Sequence, residues 1–332
     1  MQNNRYPKIQ IKSKNELAKH ISHSRLPTKD ALLLINDVIL HFNEYWVDYL
    51  GMSQPDKDKW VRNASNTNLG KLLKYIDEKV LKPHDPMIPS FIFGGVSKLN
   101  HKSAVKHLLG NKRKRILLKL DVSRFFEQIH YERVYGFFLN KCGCSYKGAK
   151  LLANLCCVPF GAKSSPEDYK TIARGFSTSP RLAVWCNLDT FIKLEHLVKK
   201  ELKGKDPRIA IYVDDIGITA SNVTKEDMMH IYPKIKKILE DSDKNQKLPL
   251  NQKKTKIIYH SGETYDINGE YKGKWGFEHL GIQMNRSSLT LGTKTRWKLA
   301  NLTHRFKLLR GRNANLKRSR KSTIRYKDYI ER

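Results

Sequence analysis

RIAIYVDDIGITAS, residues 208–221, decides the fold. Ile209 and Ile211 alternate with their neighbours in one arm, and Ile216 and Ile218 do so in the other. Two alternating arms around Asp214-Asp215 predict a β-hairpin whose turn carries carboxylates. In an open loop an Asp-Asp pair is ordinarily polar surface. Here apolar walls flank the pair and Tyr212 precedes it. Two repelling carboxylates are then held together at a cost that a bound cation removes.

Upstream, KRILLKLDVSRFF (114–126) puts Ile116, Leu118 and Leu120 on one face of a strand with Asp121 at its end. Helices are predicted over 30–50, with Asp30 as candidate cap, and over 69–82, 101–109, 131–155, 180–203 and 226–241. Strands are predicted over 254–259 and 277–284. Residues 83–97 read as an irregular Pro- and Gly-rich connection, and 159–173 as a polar loop. Beyond Thr293 the chain reads as helix, then as a very basic stretch. This order predicts an α+β fold with an antiparallel sheet covered by helices on one face.

The chain has 332 residues, with 63 Lys and Arg against 32 Asp and Glu, a formal charge of +31. Such a surplus calls for a polyanion, and neutralising phosphates with counterion release is the common reason. No apolar run approaches the ~18 residues of a membrane span, and no amphipathic helix sets a strongly apolar face beside a basic one. The N-terminus lacks the apolar region of a secretory signal. The five cysteines are odd in number and form no CxxC pair, which argues against disulfides or a zinc knuckle and for a cytosolic protein. In residues 294–332 only Asp328 and Glu331 are acidic. Trp297, His304, Phe306, Tyr326 and Tyr329 are interleaved with the cations, a pattern that suits structured RNA or an RNA–DNA duplex.

One carboxylate at a strand end and two on a neighbouring hairpin suit nucleotidyl transfer. That reaction needs two Mg²⁺ ions, and Mg²⁺ takes hard oxygen ligands. Asp121, Asp214 and Asp215 are the candidate ligands.

Five segments then become recognisable. Tyr212-Val213-Asp214-Asp215 matches the YxDD box of reverse transcriptases. LLKLDVSRFFEQI (117–129) resembles their first palm motif. Gly175-Phe176-Ser177-Thr178-Ser179-Pro180 resembles the G-x-x-x-S-P box. Lys253-Lys254-Thr255 resembles the lysine motif, and His279-Leu280-Gly281 the turn that begins the primer grip. All five occur in the family's order between about residues 90 and 285. Within the family the chain resembles bacterial retron and other defence-associated enzymes, including abortive-infection-like and unclassified groups. Gly95-Val96-Ser97 and Ser103-Ala104-Val105-Lys106-His107 are similar to elements that precede the first Asp there, with Ser103 in place of Asn.

The resemblance implies a right-hand polymerase with an RRM-like antiparallel palm sheet. N-terminal helices and fingers would occupy 1–114, the palm 115–285 with an interleaved fingers segment at about 130–175, and a short basic thumb and tail 286–332. Two Mg²⁺ ions, with Mn²⁺ as substitute, would lie on Asp121, Asp214, Asp215 and the Val122 carbonyl. Phe126 would be the steric gate against a ribose 2′-hydroxyl. Its neighbour Phe125 is the alternative, since one of the two must face the core. Gly175, Ser179 and Pro180 would border the nucleotide. Lys254 would serve the pyrophosphate, with Lys253 and Lys256 as competitors. Tyr212, His279 and Gly281 would meet primer and template, although Trp275, Phe277 and His279 read equally as stacked core. Arg296, Arg305, Lys307, Arg310, Arg312, Lys317, Arg318 and Arg320 would grip RNA. The implied partners are a noncoding RNA template, the RNA–DNA duplex, dNTPs, and a second reverse transcriptase or effector protein. The implied location is the bacterial cytoplasm, and the implied role is antiphage defence.

The chain departs from the pattern in several places. The retron V-T-G element is missing, with Lys274-Trp275-Gly276 its nearest trace. Arg174 replaces the Gln that precedes the central Gly. A polar insertion covers roughly 161–172. The basic fingers pattern is missing, with Lys57, Lys59 and Arg62 its nearest substitutes. These departures leave two rival readings: template-independent or protein-primed DNA synthesis, and a catalytically inactive RNA-binding scaffold.

Overall fold

Residues 115–121 form a strand buried on both faces, so the sheet around it needs two covers. The computed structural model describes residues 5–110, 114–243, 247–285 and 288–310. The chain begins with helices α1 (Lys14–Ile21) and α2 (Thr28–Leu40), then pairs the short strands β1 (Val47–Asp48) and β2 (Arg62–Asn63). Helices α3 (Asn68–Tyr75) and α4 (His101–Leu109) lead to strand β3 (Arg115–Asp121). Helices α5 (Tyr131–Gly136) and α6 (Tyr146–Cys156), the hairpin β4 (Cys157–Ala162) and β5 (Ser165–Ile172), and helices α7 (Ser179–Cys186) and α8 (Leu188–Glu201) follow. Next come β6 (Arg208–Tyr212), β7 (Asp215–Ser221), α9 (Lys225–Glu240), β8 (Lys256–Tyr259), β9 (Glu263–Tyr265) and β10 (Tyr271–Lys274). The described chain ends with β11 (Glu278–His279), β12 (Ile282–Met284), β13 (Leu289–Leu291) and α10 (Thr293–Arg310).

The main sheet has six strands in the order β10-β9-β8-β3-β7-β6, and every neighbouring pair is antiparallel. Ile116, Leu118, Leu120, Ile216, Ile218 and Ile257 enter the larger core, where α8 and α9 supply Phe191, Leu194, Met228 and Ile235. Leu117, Ala210 and Ile258 point the other way, into a second core with Ala104, Val105 and Leu108 of α4 and with Phe277 and Met284. The expectation of helices on one face is therefore corrected. The alternation of Ile116, Leu118 and Leu120 concealed that Leu117 is also buried.

Several element boundaries differ from the sequence reading. The helix expected over 30–50 stops at Leu40, and the segment after it makes a 3-10 turn and β1. The helix expected over 131–155 breaks between Lys141 and Tyr146, where Gly143 takes φ +69°. The helix expected over 180–203 divides at Asn187, whose side-chain amide donates to the Ala183 carbonyl at 2.8 Å. The polar loop expected over 159–173 is the β4–β5 hairpin, and most of β5 is exposed. Alternating burial could not mark a strand with no core behind it. The hairpin is held instead by its ladder, by the Arg62 guanidinium on the Pro159 and Gly161 carbonyls, and by stacking of Tyr169 between His130 and Phe160.

Candidate active site

The ladder between β3 and β7 ends with Asp121 opposite Asp215. Tyr212 pairs with Asp215, so Val213 and Asp214 form a two-residue turn. Val213 has φ +59°, an unusual state for a β-branched residue that costs ~1–3 kcal/mol. Surrounding bonds impose it. The Val122 N–H donates to the Asp214 carbonyl at 2.9 Å, and the Phe93 N–H donates to the Ile211 carbonyl at 2.8 Å. Gly94 lies directly against the turn: a Cβ there would sit 2.5 Å from the Val213 nitrogen.

Lys254 completes the group. Its ammonium bonds both Asp121 carboxylate oxygens, at 2.9 and 3.1 Å. The loop bearing it is stitched to the end of β3, because the Asn251 N–H donates to the Asp121 carbonyl at 2.8 Å. Of the competing lysines, Lys256 lies over the Trp275 ring at 5.2 Å, and Lys253 is exposed.

The acidic turn is poorly neutralised. Burial raises the Asp214 carboxyl, and Asp121 adds repulsion against relief from Arg174 and Lys59. Burial and then Asp214 push Asp215 up to about 6, with Asp121 adding and Lys119 and Lys254 opposing. Among the described residues no group of three or more His, Cys, Asp or Glu side chains is placed to hold a metal ion by itself. The donor chemistry nevertheless fits Mg²⁺, which keeps several waters and takes substrate phosphates as further ligands. A dication here would relieve the repulsion that raises Asp214 and Asp215.

Phe125 is fully buried and Phe126 half-buried, so of the two Phe126 is the ring with an accessible face. The Arg174 guanidinium lies 4.8 Å from its centroid and forks onto Glu127 at 2.9 and 3.0 Å. Gly175 is exposed and has the Arg62 carbonyl against it, where a Cβ at its φ of +106° would clash. Ser179 is completely buried, and its hydroxyl donates to the Ala173 carbonyl at 2.7 Å, so it braces the loop rather than bordering a nucleotide. Pro180 lies in the first turn of α7, where its fixed φ fits. Arg62 is no free fingers cation: it is buried and paired with Asp48. Lys57 is exposed beside Asp56, and Lys59 acts to lower the Asp214 carboxyl.

The residues expected at the primer are mixed. Tyr212 packs edge-on against His101 at 4.1 Å. Gly281 and Leu280 form the turn between β11 and β12. His279 is completely buried over Gly217, with no exposed atom to offer a primer. Phe277 is core and Trp275 is 62% exposed. In α10, Arg296 bonds Gln283 at 2.7 Å, Arg305 is exposed, and no residue from Thr293 to Arg305 is buried. The Lys307 and Arg310 side chains, and Arg312, Lys317, Arg318 and Arg320, lie outside the described residues.

Sequence reasoning missed Gly94 and Glu127. Gly94 adjoined Gly95-Val96-Ser97 but carried no signal of its own. Glu127 carried no signal of its own either, and only the fold brings Arg174 to it.

His279 carries a prediction. Burial, then Lys119 and His101, push its pKa down to about 3, and neither ring nitrogen has a hydrogen-bond partner among the described residues. The folded value lies below the unfolded value of ~6.5. Its contribution is therefore present above pH ~6.5 and is lost as pH falls toward 3. His279→Leu is expected to flatten the loss of melting temperature between pH 6.5 and 4. Parallel curves for variant and wild type would remove His279 from the acid response.

A family model described as "Reverse transcriptase (RNA-dependent DNA polymerase)" matches residues 54–284. The retron Ec48 reverse transcriptase of Escherichia coli is 25% identical over 224 residues, which cover 64% of this chain and 49% of that protein. The chain thus spans about half the length of the curated relative it matches. Among the described residues no helix is long and apolar enough to cross a membrane. The family match takes in most of the chain, including Asp121, the Tyr212–Asp215 turn and Lys254, and on that ground the chain belongs to the reverse transcriptase family.

Proposed function

We propose that the chain is an RNA-directed DNA polymerase that copies a dedicated noncoding RNA. The observation carrying this reading is the convergence of Asp121, Asp214 and Asp215 with Lys254 on one edge of the sheet. In this reading the six-stranded sheet is the RRM-like palm. Residues 1–114 hold the N-terminal helices and fingers, 115–285 the palm with an interleaved fingers segment at about 130–175, and 286–332 the basic thumb and tail. Asp121, Asp214 and Asp215, with the Val122 carbonyl, would hold two Mg²⁺ ions. When bound, these ions neutralise charge on the attacking 3′-oxygen and on the leaving pyrophosphate. The new bond joins the primer 3′-oxygen to the α-phosphorus, and the α–β bridging bond breaks. Lys254 supplies a proton or positive charge to the pyrophosphate. Phe126 fills the space of a ribose 2′-hydroxyl. The similarity to a retron enzyme supports an antiphage role and a partner RNA, and the +31 charge supports a polyanionic partner.

The test is to purify the protein with its co-purifying nucleic acid, add Mg²⁺ and labelled dNTPs, and sequence the bound RNA and the product. A product complementary to one discrete RNA is expected. A product of random or simple sequence that survives RNase would overturn templated copying and favour untemplated synthesis.

A further inference from the structure

Phe126 is held from two sides. Phe125, part of the core, meets it edge-on at 6.0 Å and itself stacks on Phe191. On the other side lies the Arg174 guanidinium. That group is fixed as well. Its Nε donates to Glu127 Oε1 at 2.9 Å and its Nη2 to Oε2 at 3.0 Å, a planar fork that only arginine can make. Glu127 is 8% exposed and sits in the same 3-10 turn as Phe126. The Arg174 backbone is anchored by the Arg62 N–H on its carbonyl at 2.7 Å. The guanidinium is thus held by its fork on Glu127 and by the Phe126 ring, with part of the side chain open to solvent.

We infer that Arg174 is a positioning residue for sugar selection: its fork on Glu127 clamps the Phe126 ring so that it cannot turn away from the 2′ position of an incoming nucleotide. This rests on the reading of Phe126 as the gate. The clamp joins a residue that follows β5 to one that follows β3. Glu127 sets the angle at which the guanidinium meets the ring. A lysine would keep the charge but lose the planar fork.

The experiment measures kcat/KM for dNTP and for rNTP in primer extension by the full chain with its co-purified RNA. The variants are Phe126→Ala, Arg174→Lys and the pair Arg174→Gln with Glu127→Gln, each checked by its melting curve. The paired variant leaves no buried charge unpaired, so it keeps the fold where a lone Arg174 deletion would not. Sugar discrimination should fall by about tenfold or more in the paired variant and in Phe126→Ala, with dNTP kcat/KM reduced only a few-fold. Arg174→Lys should fall between them and wild type. If Phe126→Ala loses discrimination while the paired variant and Arg174→Lys keep it, the clamp is wrong and the gate stands. If Phe126→Ala also keeps it, the gate reading itself fails. An equal rise in KM for both sugars would assign Arg174 to the triphosphate and overturn the clamp.

Discussion

Asp214→Asn is expected to abolish nucleotide incorporation while leaving the protein folded and no less heat-stable. The two halves of this result have one cause. Asp214 is a partly buried carboxylate whose ionised form is disfavoured by burial and by Asp121. In the free protein its charge works against the fold, as the raised pKa requires. Asparagine keeps the shape and removes the charge, so the melting temperature without metal should hold or rise. In the proposed mechanism the same charge holds a dication. Its loss should lower incorporation on the order of 10³-fold or more, about 4 kcal/mol of transition-state stabilisation. Mn²⁺ should raise the melting temperature of wild type in a concentration-dependent way, because it binds the folded state alone, and that rise should shrink in the variant. A variant that incorporates dNTPs at the wild-type rate would sink the assignment of Asp214 as a metal ligand. A variant that unfolds would instead make Asp214 a structural residue, contradicting its raised pKa.

The site was more legible in the sequence than the scaffold around it. The hairpin at 208–221 was readable because Ile209, Ile211, Ile216 and Ile218 alternate against a core that exists. The same rule failed for β4 and β5. Their residues are held by stacking on Tyr169 and by a guanidinium from a distant strand, and neither leaves a period in the sequence. Lys254 could not be separated from Lys253 and Lys256 by spacing. The loop from Asn251 decides it, by bonding back to Asp121 and aiming one ammonium of the three. Ser179 and His279 show the opposite failure. Both lie in recognisable motifs, yet both side chains are fully buried, where they support the backbone of the site instead of meeting a substrate. Motif membership marks the neighbourhood of the chemistry. Burial decides which member can touch a ligand.

Gly94→Ala is the sharpest test of how the catalytic turn is held. Gly94 donates to the Ile211 carbonyl at 3.3 Å, and the added methyl would lie 2.5 Å from the Val213 nitrogen, 2.7 Å from its Cγ2 and 2.9 Å from the Tyr212 carbonyl carbon. Two of those three atoms are backbone, so no side-chain rotation clears the way. Either the 91–94 segment or the turn must move. The turn is the weaker party, because Val213 is already strained at φ +59° and only the two residues Val213 and Asp214 close the hairpin. A displacement of about 1 Å of a catalytic group can cost ~10²-fold in rate. The expected result is that order of loss in kcat, with little change in RNA affinity, since no cationic side chain is altered. The matched control is Gly136→Ala. Its methyl would meet nothing closer than the Asn140 amide at 3.7 Å, and alanine in α5 should hold or raise stability by up to ~1 kcal/mol. Full activity in both variants would mean that the strained turn absorbs the methyl without moving Asp214, and that Gly94 is not its wedge. Loss in Gly94→Ala alone, with an unchanged melting temperature, would place the damage in the geometry of the turn.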